Sequence, residues 1–331
     1  MKRLLVLGGT SFVGRTVVTE AVDQGWSVTT FNRGRSQWTH SAVEKIIGDR
    51  TVTGDLDLLR DGQWDAALDT WSGAPVVVRE SAAVLVERVD RCLYMSSRAV
   101  YATPMPRDMD ESAPTVLGAA DAESRGYGQD KRGSELAMEA AFGERAILAR
   151  AGLILGPHED LGRLPFWLLR IAAGGPRLAP EPRDLPWRFI DVRDLARWLL
   201  DAATAGLSGS FNLVCPEGHA TTGSMLEAAI EVTGSDAELV WVDHEVIKAE
   251  GIDRWQSLPG WVPQEPDLTG LIWTNTARAQ NAGLVCRPVL ETVADTWEWV
   301  LARGGTAPSH PDHPHALDRD RELRVMTPHR V

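Results

Sequence analysis

The chain has 331 residues, 44% of them hydrophobic and 24% charged, with a formal net charge of −12 at neutral pH. This is the composition of an ordinary globular protein long enough for two lobes that share a cleft. The acidic balance opposes binding to a phosphate backbone, so no nucleic-acid partner is expected. No apolar run approaches the roughly 20 residues that span a bilayer, and the N-terminus lacks the apolar region and cleavage site of a signal peptide, so no membrane contact and a cytoplasmic location are expected. Cys92, Cys215 and Cys286 are too few and too dispersed for a disulfide framework or a metal site.

An apolar strand over 3–7 enters the turn GGTSFVG and then a helix over 12–24. A strand, a glycine turn that lets a pyrophosphate approach the backbone, and a helix N-terminus that favours an anion are how a Rossmann unit begins. Gly8 and Gly9 supply the turn and Gly14 the close helix–strand contact, while Ser11 stands where a middle glycine is usual. The turn alone would also suit any parallel α/β protein. Strands at 27–32, 44–48, 64–69, 91–96 and 145–150 alternate with helices at 76–88 and 124–142, the order of a doubly wound parallel sheet of six or seven strands. We therefore divide the chain into a dinucleotide-binding domain over 1–155, with 188–215 returning to it, a substrate lobe over 156–303 and a tail over 304–331. Nine of the 13 tryptophans follow residue 160, so the second lobe is the aromatic one. The tail carries His310, His313 and His315 in a proline-interrupted polar stretch that reads as a solvated extension rather than a metal site, followed by a short amphipathic segment.

Tyr127 and Lys131 form a Y-x-x-x-K pair one helical turn apart. A phenol beside an ammonium is easier to ionise and can exchange a proton with a carbonyl or alcohol oxygen. Ser96 and Ser97 close the strand that precedes this helix, and ligands of open α/β sheets bind outside the carboxyl ends of the strands, so a Ser hydroxyl and Tyr127 can converge on one carbonyl. Ser97 could equally cap a turn.

GGTSFVGR, NRG at 32–34, GDR at 48–50, SSRAVY at 96–101, YGQDK at 127–131, LILGP at 153–157 and RFIDVRDLA at 188–196 occur in one order. Together they resemble the extended or atypical branch of the short-chain dehydrogenase/reductase superfamily. The chain is similar to its NAD-dependent epimerase/dehydratase-like reductases, including the isoflavone-reductase-like and chloroplast stem-loop-binding-protein-like members. The resemblance implies that Ser97 orients the substrate oxygen, Tyr127 is the acid/base, and Lys131 holds the nicotinamide ribose. It also implies that Gly8, Thr10, Ser11, Phe12, Val13 and Gly14 form the pyrophosphate turn. Asn32 and Arg33 would meet the adenosine ribose, with Asp49 and Arg50 near the adenine. Asp69, Thr70 and Trp71 would lie over that ribose, and Ser96, Gly152 and Leu153 would border the nicotinamide.

An acidic residue at the end of the second strand would accept from both ribose hydroxyls, whereas an Arg there pairs with a 2′-phosphate. Asn32-Arg33-Gly34-Arg35 occupies this position, with Arg15 as a second contact, so NADP is expected as cofactor and NAD is the alternative; Arg33 could instead stack on the adenine and serve either. The expected activity is reduction of a ketone or enone of a small, aromatic-leaning metabolite. A sugar-nucleotide epimerase or dehydratase is the first alternative. Against it, no carboxylate adjoins Ser97, and Leu153 stands where such epimerases carry an Asn. A non-catalytic cofactor-sensing or RNA-binding relative is the second alternative. The expected partner is a small-molecule substrate, and a homodimer paired through helices beside the sheet is left open.

Overall fold

The computed structural model describes residues 1–254, 256–308, 310 and 315–327. Arg3–Leu7 (β1) leads through the glycine turn into Phe12–Asp23 (α1), followed by Ser27–Asn32 (β2), Glu44–Ile47 (β3) and Trp64–Asp69 (β4). Pro75–Leu85 (α2), Val89–Ser97 (β5), Tyr127–Phe142 (α3) and Ala146–Ala151 (β6) continue the alternation. Next come Leu153–Leu155 (β7), Arg163–Ala172 (α4), Pro176–Pro180 (β8), Phe189–Asp191 (β9), Val192–Ala205 (α5) and Gly209–Leu213 (β10). Thr222–Thr233 (α6), Glu238–Val242 (β11), His244–Ala249 (α7), Thr269–Ile272 (α8), Ala277–Asn281 (α9), Val289–Ala302 (α10) and Arg319–Met326 (α11) complete the order.

Seven strands form one parallel sheet in the order β3-β2-β1-β4-β5-β6-β10, the doubly wound arrangement expected from the sequence. The two-residue period of β1 shows why helices must cover both faces. Leu4 and Val6 point into a core shared with Val17 and Val18 of α1 and Leu195, Trp198 and Leu199 of α5. Leu5 and Leu7 point into the opposite core with Val78 and Leu85 of α2 and Ala137 and Met138 of α3. A third core, around Trp167, Trp187, Phe189, Met225, Leu226 and Val293, belongs to the later segments, where β8 pairs with β11 and β7 with β9.

One boundary differs notably from the sequence reading. Helix α3 starts at Tyr127, three residues later than the pattern suggests, because Gly126 has φ 152° and Asp130 ties down the preceding residues. Its carboxylate accepts from Ser124 Oγ at 2.5 Å and from the Arg125 amide at 2.8 Å. The amphipathic segment of the tail forms α11, as its pattern suggests, and docks on the third core. Val325 and Met326 of α11 are buried in the third core, and buried Glu322 accepts from Arg170 and Arg319 and lies 3.8 Å from Arg177. His315 lines a cavity, whereas His313 lies outside the described residues. No helix among the described residues is long and apolar enough to cross a membrane.

Gly14 packs α1 onto the turn so closely that a Cβ there would lie 2.7 Å from the Gly9 nitrogen and 2.9 Å from its Cα. Backbone cannot yield as a side-chain tip can. Gly14→Ala should therefore destabilise the fold by about 1–3 kcal/mol, the usual range for overpacking, read as a lower denaturation midpoint. An unchanged midpoint would refute this contact.

Candidate active site

Each segment assigned to the cofactor ends at the carboxyl edge of the sheet. Gly8 and Gly9 adopt φ of 120° and 81°, and even Phe12, the first residue of α1, has φ 23°, a strained value that only a tightly determined turn holds. Ser11, at the N-cap, is exposed and its hydroxyl makes no capping bond. Thr70 Oγ1 donates to the Leu7 carbonyl at 3.0 Å and sits 2.6 Å from where a Cβ on Gly8 would be, so the turn and the end of β4 touch. Bare backbone, positive φ and a following helix N-terminus make a cradle that a phosphate group fits and a side chain would fill. Asn32 Oδ1 accepts from the Gly34 amide at 2.9 Å, and Arg33 is exposed beside it. Asp49 accepts from the Thr51 amide and hydroxyl, and these bonds, with weaker attraction from Arg33 and Arg35, hold its carboxyl below the usual range. Arg15 stacks 4.6 Å from the Trp38 ring. Arg50 and Asp69 are turned toward each other: Arg50 Nη1 donates to both carboxylate oxygens at 2.7 and 2.8 Å, and Asp69 also accepts from the Trp71 amide.

The residues expected to act on substrate lie at the next part of the same edge. Tyr127 is 55% exposed. One turn later Lys131 is buried, and its ammonium donates to the carbonyls of Met95 at 2.6 Å and Trp71 at 2.7 Å. It lies 5.9 Å from the Tyr127 ring and 4.8 Å from that of Tyr94. Burial lowers the Lys131 ammonium to about 7, although Asp69 and Glu135 oppose the shift. Ser97 Oγ accepts from the Ala99 amide at 3.1 Å, so the serine does cap the short turn after β5, and its own O–H remains available as a donor. Ser96 points the other way, donating to Glu135 at 2.7 Å.

Ser97 and Tyr127 open onto one cavity of about 860 Å³, which Gly152 and Leu153 also line. Later segments contribute Leu185, Trp187, Trp261, Leu271 and Ile272 to its lining. Among the later tryptophans, Trp187 and Trp261 reach the cavity, Trp167 is core, Trp241 is partly buried against that core, and Trp255 lies outside the described residues.

The sequence reading missed Glu135, which underlies the site. It is fully buried and accepts from Ser96, from Arg150 Nε at 2.9 Å and Nη2 at 3.0 Å, and from Arg132 at 2.9 Å. Its signal was available, since Glu135 lies four residues after Lys131 on the same helical face. Arg98 and Arg188, both buried in the cavity wall, were also missed.

The sequence pattern of the NAD dependent epimerase/dehydratase family matches residues 76–213. A UDP-glucose 4-epimerase of Azospirillum brasilense is 26% identical over 324 residues, covering 82% of this chain and 90% of that protein. A putative epimerase of Burkholderia cenocepacia J2315 superposes with a TM-score of 0.70 at 20% identity, over 91% of this chain and 98% of its own. The Bordetella bronchiseptica enzyme WbmH, solved in complex with NAD+, superposes with a TM-score of 0.66 at 16% identity, over 92% of this chain and all of its own. These matches show that residues 76–213 resemble the NAD dependent epimerase/dehydratase family and that the chain shares its doubly wound fold with these structures.

Proposed function

We propose that this protein is an NAD(P)-dependent oxidoreductase that interconverts a carbonyl and an alcohol on a small molecule with a substantial apolar or aromatic body. The observation that carries this reading is the shared cavity: Ser97 and Tyr127 line one space together with Trp187, Trp261, Leu271 and Ile272. Residues 8–14, 32–33 and 69–71 would hold the dinucleotide along the sheet edge. Bound there, the nicotinamide would supply or take up hydride at the reacting carbon. In reduction, Ser97 donates its free O–H to the carbonyl oxygen and fixes its position, and Tyr127 delivers the proton as negative charge develops on that oxygen. Lys131 places positive charge behind the phenol, held there by two carbonyls rather than by a carboxylate. The apolar walls orient the substrate and keep water from the reacting carbon.

The relative from Azospirillum brasilense supports a second reading, in which a sugar nucleotide is transiently oxidised and reduced on the opposite face without net consumption of cofactor. The two readings predict different stoichiometry. A reductase consumes one NADPH per product, whereas an epimerase converts UDP-glucose to UDP-galactose at constant nicotinamide absorbance.

Tyr127→Phe should lower kcat/KM by about 10²–10⁴, the usual contribution of a positioned acid/base, while circular dichroism and cofactor affinity stay unchanged. Undiminished NADPH oxidation with an aromatic ketone or enone that the native protein reduces would sink the assignment.

Cofactor choice follows from the end of β2, where Arg33 and Arg35 stand exposed and Asn32 replaces an acidic residue. Fluorescence titration should show NADPH binding at least about tenfold more tightly than NADH, with Arg33→Ala removing most of the difference, since a charge-assisted contact is worth a factor of this size. Equal affinities in the native protein would overturn it.

A further inference from the structure

The described cavity wall carries buried N–H donors that find no acceptor in the protein. Arg98 follows Ser97 directly, and Arg188 precedes β9; each is only 6% exposed. Arg98 Nη1 donates to the Leu271 carbonyl at 2.8 Å and to Thr274 Oγ1 at 2.6 Å. Arg188 donates to the carbonyls of Ile272 at 3.2 Å and Thr274 at 2.9 Å. One short segment, 271–274, thus holds both guanidinium groups side by side. The Nε atoms of both arginines remain buried without a partner, and so do the indole nitrogens of Trp187 and Trp261 in the same wall.

The other buried arginines behave differently. Arg50 pairs with Asp69, Arg150 with Glu135 and Arg177 with Glu322. Even Arg163, which lines this cavity, donates to Glu159 at 2.6 Å. Among the described residues neither Arg98 nor Arg188 meets a carboxylate. Glu217 acts on Arg188 only at longer range and lies 3.5 Å from Arg107. Burial and the neighbouring Arg188 push Arg98 down to about 9, as befits two like charges kept out of water together. Such an arrangement is costly unless an anion completes it. Gly152 makes room for the Arg98 guanidinium: a Cβ there would lie 2.9 Å from Arg98 Nη2 and 3.1 Å from Nε.

The geometry points to an oxyanion receptor in the substrate cavity: the ligand is a carboxylate-bearing molecule with an apolar body, its carboxylate seated between Arg98 and Arg188 and its body against Trp187 and Trp261. All four unpartnered nitrogens are donors, so the group they await is rich in acceptors, and planar carboxylate matches guanidinium geometry. The remainder of the wall is mostly apolar, although Thr103, Thr222 and Gln256 also line it, and fits a hydrocarbon or aryl body better than a ribose and a sugar. The inference deepens the oxidoreductase reading, since it names the substrate class of the same cavity, but its test requires no turnover.

Binding of benzoate, of uncharged benzamide and of UDP to the full-length protein should be compared by thermal shift and calorimetry. Benzoate should bind at least about tenfold more tightly than benzamide, and Arg98→Met and Arg188→Met should each abolish that preference while leaving NADPH affinity intact. Equal binding of benzoate and benzamide by the native protein overturns the receptor, as does a benzoate preference that survives in both variants. An arginine-dependent response to UDP without one to benzoate also overturns it and assigns the arginines to a diphosphate. The native-protein comparison stands even where a variant does not fold. A Tyr127→Phe result that refutes proton transfer leaves this binding test untouched, so the two failures are separable.

Discussion

The buried carboxylate of Glu135 is the constraint on which the site depends. Tyr127, Lys131 and Glu135 stand at i, i+4 and i+8 of α3, one stripe that runs from the half-open cavity into the closed interior. At its inner end Glu135 is clamped by Arg150 of β6, Ser96 of β5 and Arg132 of its own helix. A buried pair of this kind gives little net stability over an apolar substitute, yet breaking it by removing one partner typically costs about 3–5 kcal/mol. Its consequence is positional. Because the carboxylate reaches two adjacent strands, α3 can neither slide nor rotate without unpairing a buried charge, and the first turn of the helix is fixed against the end of β5. Lys131 then needs no carboxylate of its own, since the carbonyls at Met95 and Trp71 receive its ammonium.

The same logic separates the two ends of the site. Along β1, β2 and β4 the contacts are made by backbone and short side chains: Gly8 against Thr70, Gly14 against Gly9, and the Asn32 amide folded onto Gly34. Such a surface suits a phosphate through the direction of its N–H groups, and Ser11 is exposed at the N-cap of α1. The cavity end is built from large side chains of distant segments, where shape and charge decide what binds. A common cofactor and a particular substrate make these different demands.

How far the sequence disclosed this follows from the range of each interaction. The strand–turn–helix opening, the alternation and the strand ends were legible because they are local: Leu4 to Leu7 alternate between two cores, and glycine is needed where φ is positive. The start of α3 was misplaced by three residues because Asp130 reaches back to Ser124 and Arg125, a side-chain interaction that outweighs the helical pattern there. The amphipathic segment of the tail was legible because its pattern, too, is local, but its docking place was not: Glu322 meets Arg170 and Arg177, more than 140 residues earlier in the chain, and only the folded arrangement of α4 and β8 creates that partner.

The residues hardest to foresee are those whose role is relational. Arg98 lies beside Ser97 in sequence, where it reads as an ordinary surface cation on a turn. It is buried because residues 271–274 return across the end of β5 and offer it a carbonyl and a hydroxyl, and because position 152 carries no side chain. Arg188 is brought to the same segment by β9, which pairs with β7 directly after Gly152. Three stretches far apart in sequence thus produce one patch of concentrated positive charge inside a protein whose net charge is −12. The overall charge sets what approaches the surface, but burial makes a local charge dominant within a cavity, because little solvent remains to screen it. A net negative chain and a cavity wall holding two buried guanidinium groups are therefore compatible, because the first is a sum over the whole chain and the second is a matter of local burial.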